Sequence, residues 1–173
     1  MRQHPVRAGV VATLASASMI GTIGLVTAGA ATAAVSPEAP VVINEAYGGG
    51  GNSGATLRRD FVELFNPGTE PVDLDGFSVQ YASATGLTWQ VTELAGSIPA
   101  RGHFLVGQAA GAGGSVDLPT VDVDGAVAMG GTGFKVALVE GTAPLGCGGT
   151  CADAPLVVDL VATGAGSAGA PAP

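Results

Sequence analysis

The fold is decided by residues 41–83, VVINEAYGGGGNSGATLRRDFVELFNPGTEPVDLDGFSVQYAS. Two apolar, β-branched runs, at residues 40–47 and 61–66, flank a glycine-rich stretch, and the second run closes at the turn Pro67-Gly68. A short extended piece at residues 72–74 and a turn at Asp75-Gly76 lead into residues 77–81, where apolar and polar side chains alternate. Runs of this kind, bounded by Gly, Pro, Asn and Asp, are typical of β-strands and turns.

The same pattern continues outward from this stretch. Residues 87–92, LTWQVT, alternate most clearly, so positions 87, 89 and 91 are predicted to share one buried face of a sheet that is solvated on the other. Further strands are predicted at residues 103–106, 126–129, 135–139 and 156–161. No stretch of a dozen residues keeps a helical period. The chain is therefore predicted to be all-β, as a sandwich or a barrel.

The N-terminus has the layout of a secretory signal peptide. Arg2 and Arg7 precede an uncharged stretch at residues 8–34, and Ala31-Thr32-Ala33 offers a small-residue cleavage pattern. We expect residues 1–33 to be removed by cleavage after Ala33, or after Ala34, and the mature chain to be secreted to the extracellular side. An uncleaved anchor is the alternative, because the run is long enough to cross a bilayer of about 30 Å. Its Gly, Ala, Ser and Thr content and its cleavage pattern favour removal, which leaves no membrane span in the mature chain.

The predicted mature chain is strongly acidic. Two of the six basic residues leave with the signal peptide, so four basic and 14 acidic residues remain and the formal charge is −10. Such a surface repels phosphate backbones, and the remaining cations are too few to form a basic stripe. Direct nucleic-acid binding is therefore disfavoured. The mature chain of about 140 residues has the size of one ordinary domain.

These residues resemble the lamin tail domain family, in the form found in secreted bacterial proteins. The similarity is carried by residues 41–83, by TGLTWQV at 85–91, by SIPARGHFLV at 97–106 and by KVALVEG at 135–141. It extends over roughly residues 41–161 and implies an immunoglobulin-like β-sandwich, which we place at residues 40–162. This agrees with the strand pattern obtained from the residues alone.

The matching stretches contain a set of motif residues that we expect to be structural: Asn44, Glu45, Asp60, Glu63, Asn66, Pro67, Gly68, Gly76 and Trp89. The Asn66 amide is expected to bond the backbone of the turn that follows it. In the second strand, Val62 and Leu64 are expected to point toward one face of the sheet, and Glu63 toward the other, less buried face.

Three of these acids invite a metal hypothesis. Glu45, Asp60 and Glu63 could converge on calcium, which takes several oxygen ligands. Because three carboxylates on two strands do not form a calcium loop, a solvated sheet face with Arg58 or Arg59 as the partner is favoured. No metal and no other cofactor is predicted.

The glycine run and the two cysteines give further predictions. GGGGNSG at residues 48–54 lacks the Lys and Ser/Thr of a nucleotide loop and precedes no helical pattern, so we predict a flexible connection. Cys147 and Cys151 are the only cysteines, and in an exported protein such a pair predicts a disulfide. Zinc is disfavoured because only His103 is at hand as a further ligand.

No residue is singled out for catalysis. Nucleophilic hydrolysis needs a histidine base, and His103, the one histidine of the mature chain, lies within a predicted strand, where a structural role is favoured. No pair among the 14 acids is distinguished for glycoside chemistry. The chain is predicted not to be an enzyme.

The last residues, 163–173, TGAGSAGAPAP, have the composition of a linker or a loose end. Related domains usually continue into a further acidic closing segment that is absent here, so we expect either a truncated product or an exposed sheet edge.

The leading functional hypothesis is a secreted, non-catalytic binding or scaffolding module whose partner is a protein or an envelope component. The resemblance implies an alternative, the accessory module of a longer secreted nuclease or phosphatase with its catalytic domain outside this chain. A small hydrolase with an unfamiliar site is the third and least favoured hypothesis.

Overall fold

The computed structural model describes residues 39–149 and 151–164. These residues form strands and loops without any helix, and hence without a helix that could span a membrane. The predicted signal peptide, its cleavage site at Ala33 and Ala34, and most of the predicted tail lie outside the described residues. The strands are β1 (Val42–Tyr47), β2 (Arg59–Phe65), β3 (Val72–Asp73), β4 (Ser78–Ser83), β5 (Gln90–Glu93), β6 (Ser97–Ile98), β7 (His103–Ala110), β8 (Val123–Asp124), β9 (Phe134–Val139) and β10 (Val157–Thr163).

Two four-stranded sheets pack face to face around one apolar core. The first sheet has the strand order β1-β2-β7-β8, the second has the order β10-β9-β4-β5, and β3 pairs with β6 in a separate ribbon. The paired strands are antiparallel except β7 and β8, which are parallel. Both sheets contribute inward side chains to the core, among them Val62, Leu64, Phe104, Val106, Val79, Tyr81, Val136 and Leu138. The prediction of an all-β sandwich is thus confirmed.

Strand β2 shows how the sequence pattern produces this packing. Val62 and Leu64 are fully buried in the core, whereas Glu63, which lies between them, keeps 28% of its side chain exposed. Successive strand residues point to opposite faces, so one face of β2 builds the core and the other faces outward. The predicted facing of these three residues is confirmed.

The second sheet is buried on both faces, which the sequence did not lead us to expect. Its outer face carries a second apolar cluster of Ala82, Trp89, Ala137, Val139, Cys151 and Leu160. Two buried polar side chains of β4 hold the segment that follows β9 over this face, and we call residues 141–149 and 151 the covering segment. Ser78 donates to the Gly141 carbonyl, and Gln80 bonds the Ala143 carbonyl and the Leu145 amide.

This covering segment explains why the predicted facing of residues 87–92 was wrong. The strand begins only at Gln90, and Leu87 is 68% exposed. Thr92, predicted to be solvated, is buried and exchanges hydrogen bonds with Gln108 of the opposite sheet. Trp89 is buried on the outer face, where its Nε1 donates to the Gly148 carbonyl.

Lys135 belongs to the same covered face. Its side chain is 2% exposed, its Nζ donates to the Gly86 carbonyl at 2.8 Å, and it lies 5.6 Å from the centre of the Trp89 ring. A buried ammonium is tolerated where a hydrogen bond and an aromatic face replace water.

Two further expectations are corrected. Residues 126–129 form no strand; the short β8 lies just before them, and the carbonyls of Val127 and Met129 each accept one backbone hydrogen bond, from the amides of Ala109 and Gly49. Residues 48–51 of the glycine run are closely packed, in contrast to the flexible connection predicted, while Gly54 has open space around it. A Cβ on Gly50 would lie 2.2 Å from the Arg59 carbonyl, and one on Gly51 would lie 2.3 Å from the Gly111 backbone.

The first and last strands lie at neighbouring edges of the two sheets. Each contains a β-bulge, between Ile43 and Glu45 in β1 and between Val157 and Asp159 in β10. The Asp159 carboxylate accepts the Ile43 amide at 2.7 Å. Bulges and an occupied edge amide make an edge strand a poor template for pairing with another chain.

Candidate binding surface

The outer face of the first sheet carries aromatic, acidic and imidazole side chains in adjacent rows. Tyr47 stacks on Phe61 with ring centres 5.7 Å apart, and the Phe65 ring lies 4.9 Å from that of His103. The ladder places Glu45 and Leu105 on either side of Glu63. We call this surface the open face, and define it by Glu45, Tyr47, Glu63, Phe65, His103 and Leu105; Phe61, which stacks on Tyr47, is itself buried.

A polar network joins the edge strand β1 to its neighbours β2 and β7 on the open face. The Glu63 carboxylate accepts the Asn44 amide of β1 and contacts His103 Nδ1 of β7 at 2.9 Å. His103 keeps 51% of its side chain exposed. The predicted arginine partner of Glu63 was therefore wrong: Arg58 and Arg59 pair with Asp117 and Asp124 instead.

Asp60 is separated from the open face. It is 3% exposed and accepts the Gly50 amide at 2.6 Å and the Met129 amide at 2.7 Å. Burial raises the pKa of Asp60, and backbone hydrogen bonds from Met129, Gly50 and Gly49 partly offset this by favouring the charged form. The residue thus fastens the glycine run to the segment before β9.

The structure does not bring the three candidate calcium ligands together. Asp60 and Glu63 point to opposite faces of β2, while Glu45 lies opposite Glu63 in the ladder. Within residues 39–149 and 151–164, no three His, Cys, Asp or Glu side chains are placed to hold a metal ion.

The remaining motif residues form turns. The fully buried Asn66 accepts the Gly68 amide and donates its own amide to three backbone carbonyls, those of Glu70, Ile98 and Pro99. Pro67 lies between the two residues that this turn joins. At Asp75-Gly76 the Phe77 amide bonds the Leu74 carbonyl, and Gly76 takes a φ of 85°, which suits glycine at the third position of a tight turn.

Sequence reasoning missed a pocket at the β8 edge of the first sheet. Arg58, Arg59, Asp117 and Asp124 line a cavity of about 400 Å³ together with apolar residues of the loop after β7. The adjacent arginines were its only sequence signal, and the acids that meet them lie about 60 residues later.

A comparison with protein families identifies the domain. The model described as Lamin Tail Domain matches residues 34–143. The chain belongs to the lamin tail domain family. No curated protein matches the chain.

The lamin tail match covers the open face, the pocket and the buried motif residues, and it ends just before the cysteines. Cys147 and Cys151 form a disulfide in the structure, and the fully buried Cys151 packs in the cluster that contains Trp89. The covering segment that distinguishes the two sheets thus lies partly beyond the family match.

As a family, lamin tail domains are non-catalytic immunoglobulin-like modules. In this one, the sandwich offers one covered outer face and one open outer face. The open face presents rings, carboxylates and an imidazole, groups suited to contact with another molecule.

Proposed function

We propose that this lamin tail domain is an exported, non-catalytic binding module that contacts a protein or envelope component through its open face. The observation that carries the proposal is the difference between the two sheets. The outer face of the second sheet is filled by Trp89, the disulfide and the segment around them, whereas Glu63 and His103 at the centre of the first sheet keep 28% and 51% of their side chains exposed.

The composition of the open face supports a contact role. Aromatic side chains supply contact area at a low cost in side-chain entropy, and a charged network around them gives orientation. Tyr47 and Phe65 are half-buried and already held by ring contacts with Phe61 and His103. They are therefore largely preorganised before a partner arrives.

Binding is tested by co-sedimentation with isolated envelopes of the producing organism, and by surface plasmon resonance against purified extracellular components. We expect His103→Glu and Glu63→Lys to weaken binding about tenfold, because each inverts or adds charge within the contact area. Leu87→Glu is the matched control, since Leu87 is 68% exposed but lies beside the covered face. Equal losses in all three variants, or no binding by the unmodified protein, would contradict the proposal.

Export is tested on the product recovered from expressing cells. Its N-terminus should be Ala34 or Val35, and the double substitution Ala33→Asp and Ala34→Asp should block processing because signal peptidase reads a small residue directly before the cleaved bond. A membrane-bound product that retains Met1 would favour the uncleaved anchor. The non-catalytic assignment fails if the protein hydrolyses nucleic acid or phosphoesters above the background of a His103→Ala variant.

A further inference from the structure

The pocket at the β8 edge contains two of the few basic residues of the domain, each beside an acidic residue. Of the basic residues in the described part of the chain, Lys135 is buried and Arg101 precedes the opposite end of β7. Arg58 and Arg59 both line this cavity. Two arginines and two aspartates give the pocket a formal charge of zero, in a domain whose mature charge we place at −10. The arginines are the groups there that could bind the carboxylate of a ligand.

Arg59 is held in a fixed orientation. Its Nε and Nη2 donate to the Gln108 carbonyl at 2.9 and 2.7 Å, and its Nη1 donates to Asp124 at 2.8 Å. The guanidinium lies directly over Gly107, where a Cβ would be 2.7 Å from its Cζ. These contacts engage three of the five N–H groups of a guanidinium, so two remain for a ligand. A donor group that is already fixed loses little entropy on binding.

Arg58 is the adaptable partner. Its side chain is 53% exposed, and its Nη1 lies 3.6 Å from Asp117, which is itself 77% exposed. This distance makes an ion pair without a hydrogen bond, and exposed pairs of this kind contribute little to stability. Arg58 can therefore exchange Asp117 for a ligand at small cost.

The other walls restrict the kind of anion. Ala110, Leu118, Pro119 and Val121 provide apolar surface, and Asp117 and Asp124 add two carboxylates beside the arginines. A phosphate with two negative charges would be repelled by these acids. A ligand with a single negative charge, a hydrocarbon group and a neighbouring N–H would instead match the apolar surface and donate a hydrogen bond to a carboxylate. The cavity of about 400 Å³ lies within the range of about 300–1,000 Å³ that small-molecule sites occupy.

We propose that this pocket binds an apolar α-amido carboxylate, the chemistry shared by the C-terminal residue of a peptide and by a free N-acyl amino acid. The carboxylate lies between Arg58 and Arg59, the hydrocarbon side chain packs on Leu118 and Val121, and the amide N–H donates to Asp117 or Asp124. This proposal goes beyond the open-face function, because none of the residues that define that face lines the cavity.

The test is a titration of the ¹⁵N-labelled protein with N-acetyl-L-leucine, followed by amide chemical shifts. Saturable shifts are expected at Ala110, Gly111 and Val121, with a dissociation constant of roughly 1 mM or below for a ligand of this size. N-acetyl-L-leucinamide, which lacks the carboxylate, should bind at least about tenfold more weakly because the charge-assisted bonds are lost. An acetylated pentapeptide ending in leucine identifies the source: tighter binding indicates a peptide terminus, and equal or weaker binding indicates a free acid.

Variants assign the site. Arg58→Gln should weaken N-acetyl-L-leucine about tenfold, and Arg59→Gln should abolish the shifts. Arg101→Gln removes the same charge elsewhere and should leave binding unchanged. Because Arg59 also bonds Gln108 and Asp124, the exposed Arg58 carries the test if Arg59→Gln fails to fold. The proposal is overturned if no saturable shifts appear, if the amide or inorganic phosphate binds as well as the acid, or if Arg101→Gln weakens binding as much as Arg58→Gln.

Discussion

Replacing Asn66 by alanine should remove a large share of the domain's stability. The side chain is fully buried, its Oδ1 accepts the Gly68 amide at 2.8 Å, and its Nδ2 faces the carbonyls of Glu70, Ile98 and Pro99 at 2.8, 3.2 and 3.0 Å. An amide nitrogen has two hydrogens, so these contacts amount to three hydrogen bonds with one hydrogen shared. At about 1 kcal/mol each, and with buried carbonyls left unpaired, Asn66→Ala should cost about 3–4 kcal/mol.

Urea unfolding followed by circular dichroism measures this cost, against the roughly 5–15 kcal/mol by which domains are usually stable. Asn44→Ala is the matched control, because Asn44 is exposed and makes one side-chain bond, to Glu63; it should cost less than about 1 kcal/mol. Asn66→Asp keeps the acceptor for Gly68 but turns a carboxylate oxygen toward three carbonyls, so it should destabilise more than alanine does. A loss below about 1 kcal/mol in Asn66→Ala, or an aspartate variant as stable as the alanine variant, would refute the hydrogen-bond argument.

Three further predictions concern the rest of the scaffold. Burial raises the pKa of Asp60 above its ordinary value of 3.8, so the native carboxyl holds a proton more tightly than the same carboxyl in the unfolded chain. The free energy of unfolding of the wild type relative to Asp60→Asn should therefore increase as the pH falls through the raised pKa toward 3.8. In urea unfolding at several pH values, a difference that shrinks on acidification would show that the backbone hydrogen bonds outweigh burial. Gly50→Ala should destabilise the domain by more than about 2 kcal/mol, since the new Cβ would lie 2.2 Å from the Arg59 backbone. In the control variant Gly146→Ala the new Cβ would meet no atom within 4 Å, so the free energy of unfolding should change by less than about 0.5 kcal/mol. Similar melting temperatures for the two variants would contradict the packing of the glycine run. Reduction of the disulfide should lower the free energy of unfolding by at most about 2 kcal/mol, because the loop it closes is short. It should also shift the fluorescence of Trp89, the only tryptophan in the sequence, to longer wavelength. An unchanged spectrum would mean that the covering segment stays in place without the bond.

The fold was largely predictable because its main strands keep a local pattern. In β2, Val62, Glu63 and Leu64 alternate as a half-exposed strand should, and the structure places them so. The turn residues Asn66 and Gly76 were also predictable, since each uses short-range chemistry that its own neighbours reveal.

The errors arose where distant residues decide the environment. Thr92 appears polar and solvated from its neighbours, yet it is buried because Gln108 of the other sheet provides a partner. The prediction from alternation assumed that one face of the sheet is exposed to solvent, whereas the covering segment, which contains the disulfide, buries the outer face of the second sheet. The glycine run was taken as flexible because the contact that fixes it, between Gly51 and Gly111, joins residues far apart in sequence.

The candidate site was less predictable than the fold. The acids of the motif could be named from the sequence, but the partner of Glu63 is His103, 40 residues away. The pocket depends on how the loop after β7 returns beside β2, and a tertiary feature of this kind leaves little trace in local composition.

The burial of Lys135 has a practical consequence for handling the protein. It is the only lysine in the sequence, and its ammonium group is enclosed by Gly86 and Trp89. Within the described residues, the folded domain therefore offers no accessible primary amine. Amine-reactive labels and lysine-directed crosslinkers should modify the folded chain only at its N-terminal amine, which would attach it to a surface in a single orientation. Loss of that selectivity would report unfolding of the covered face.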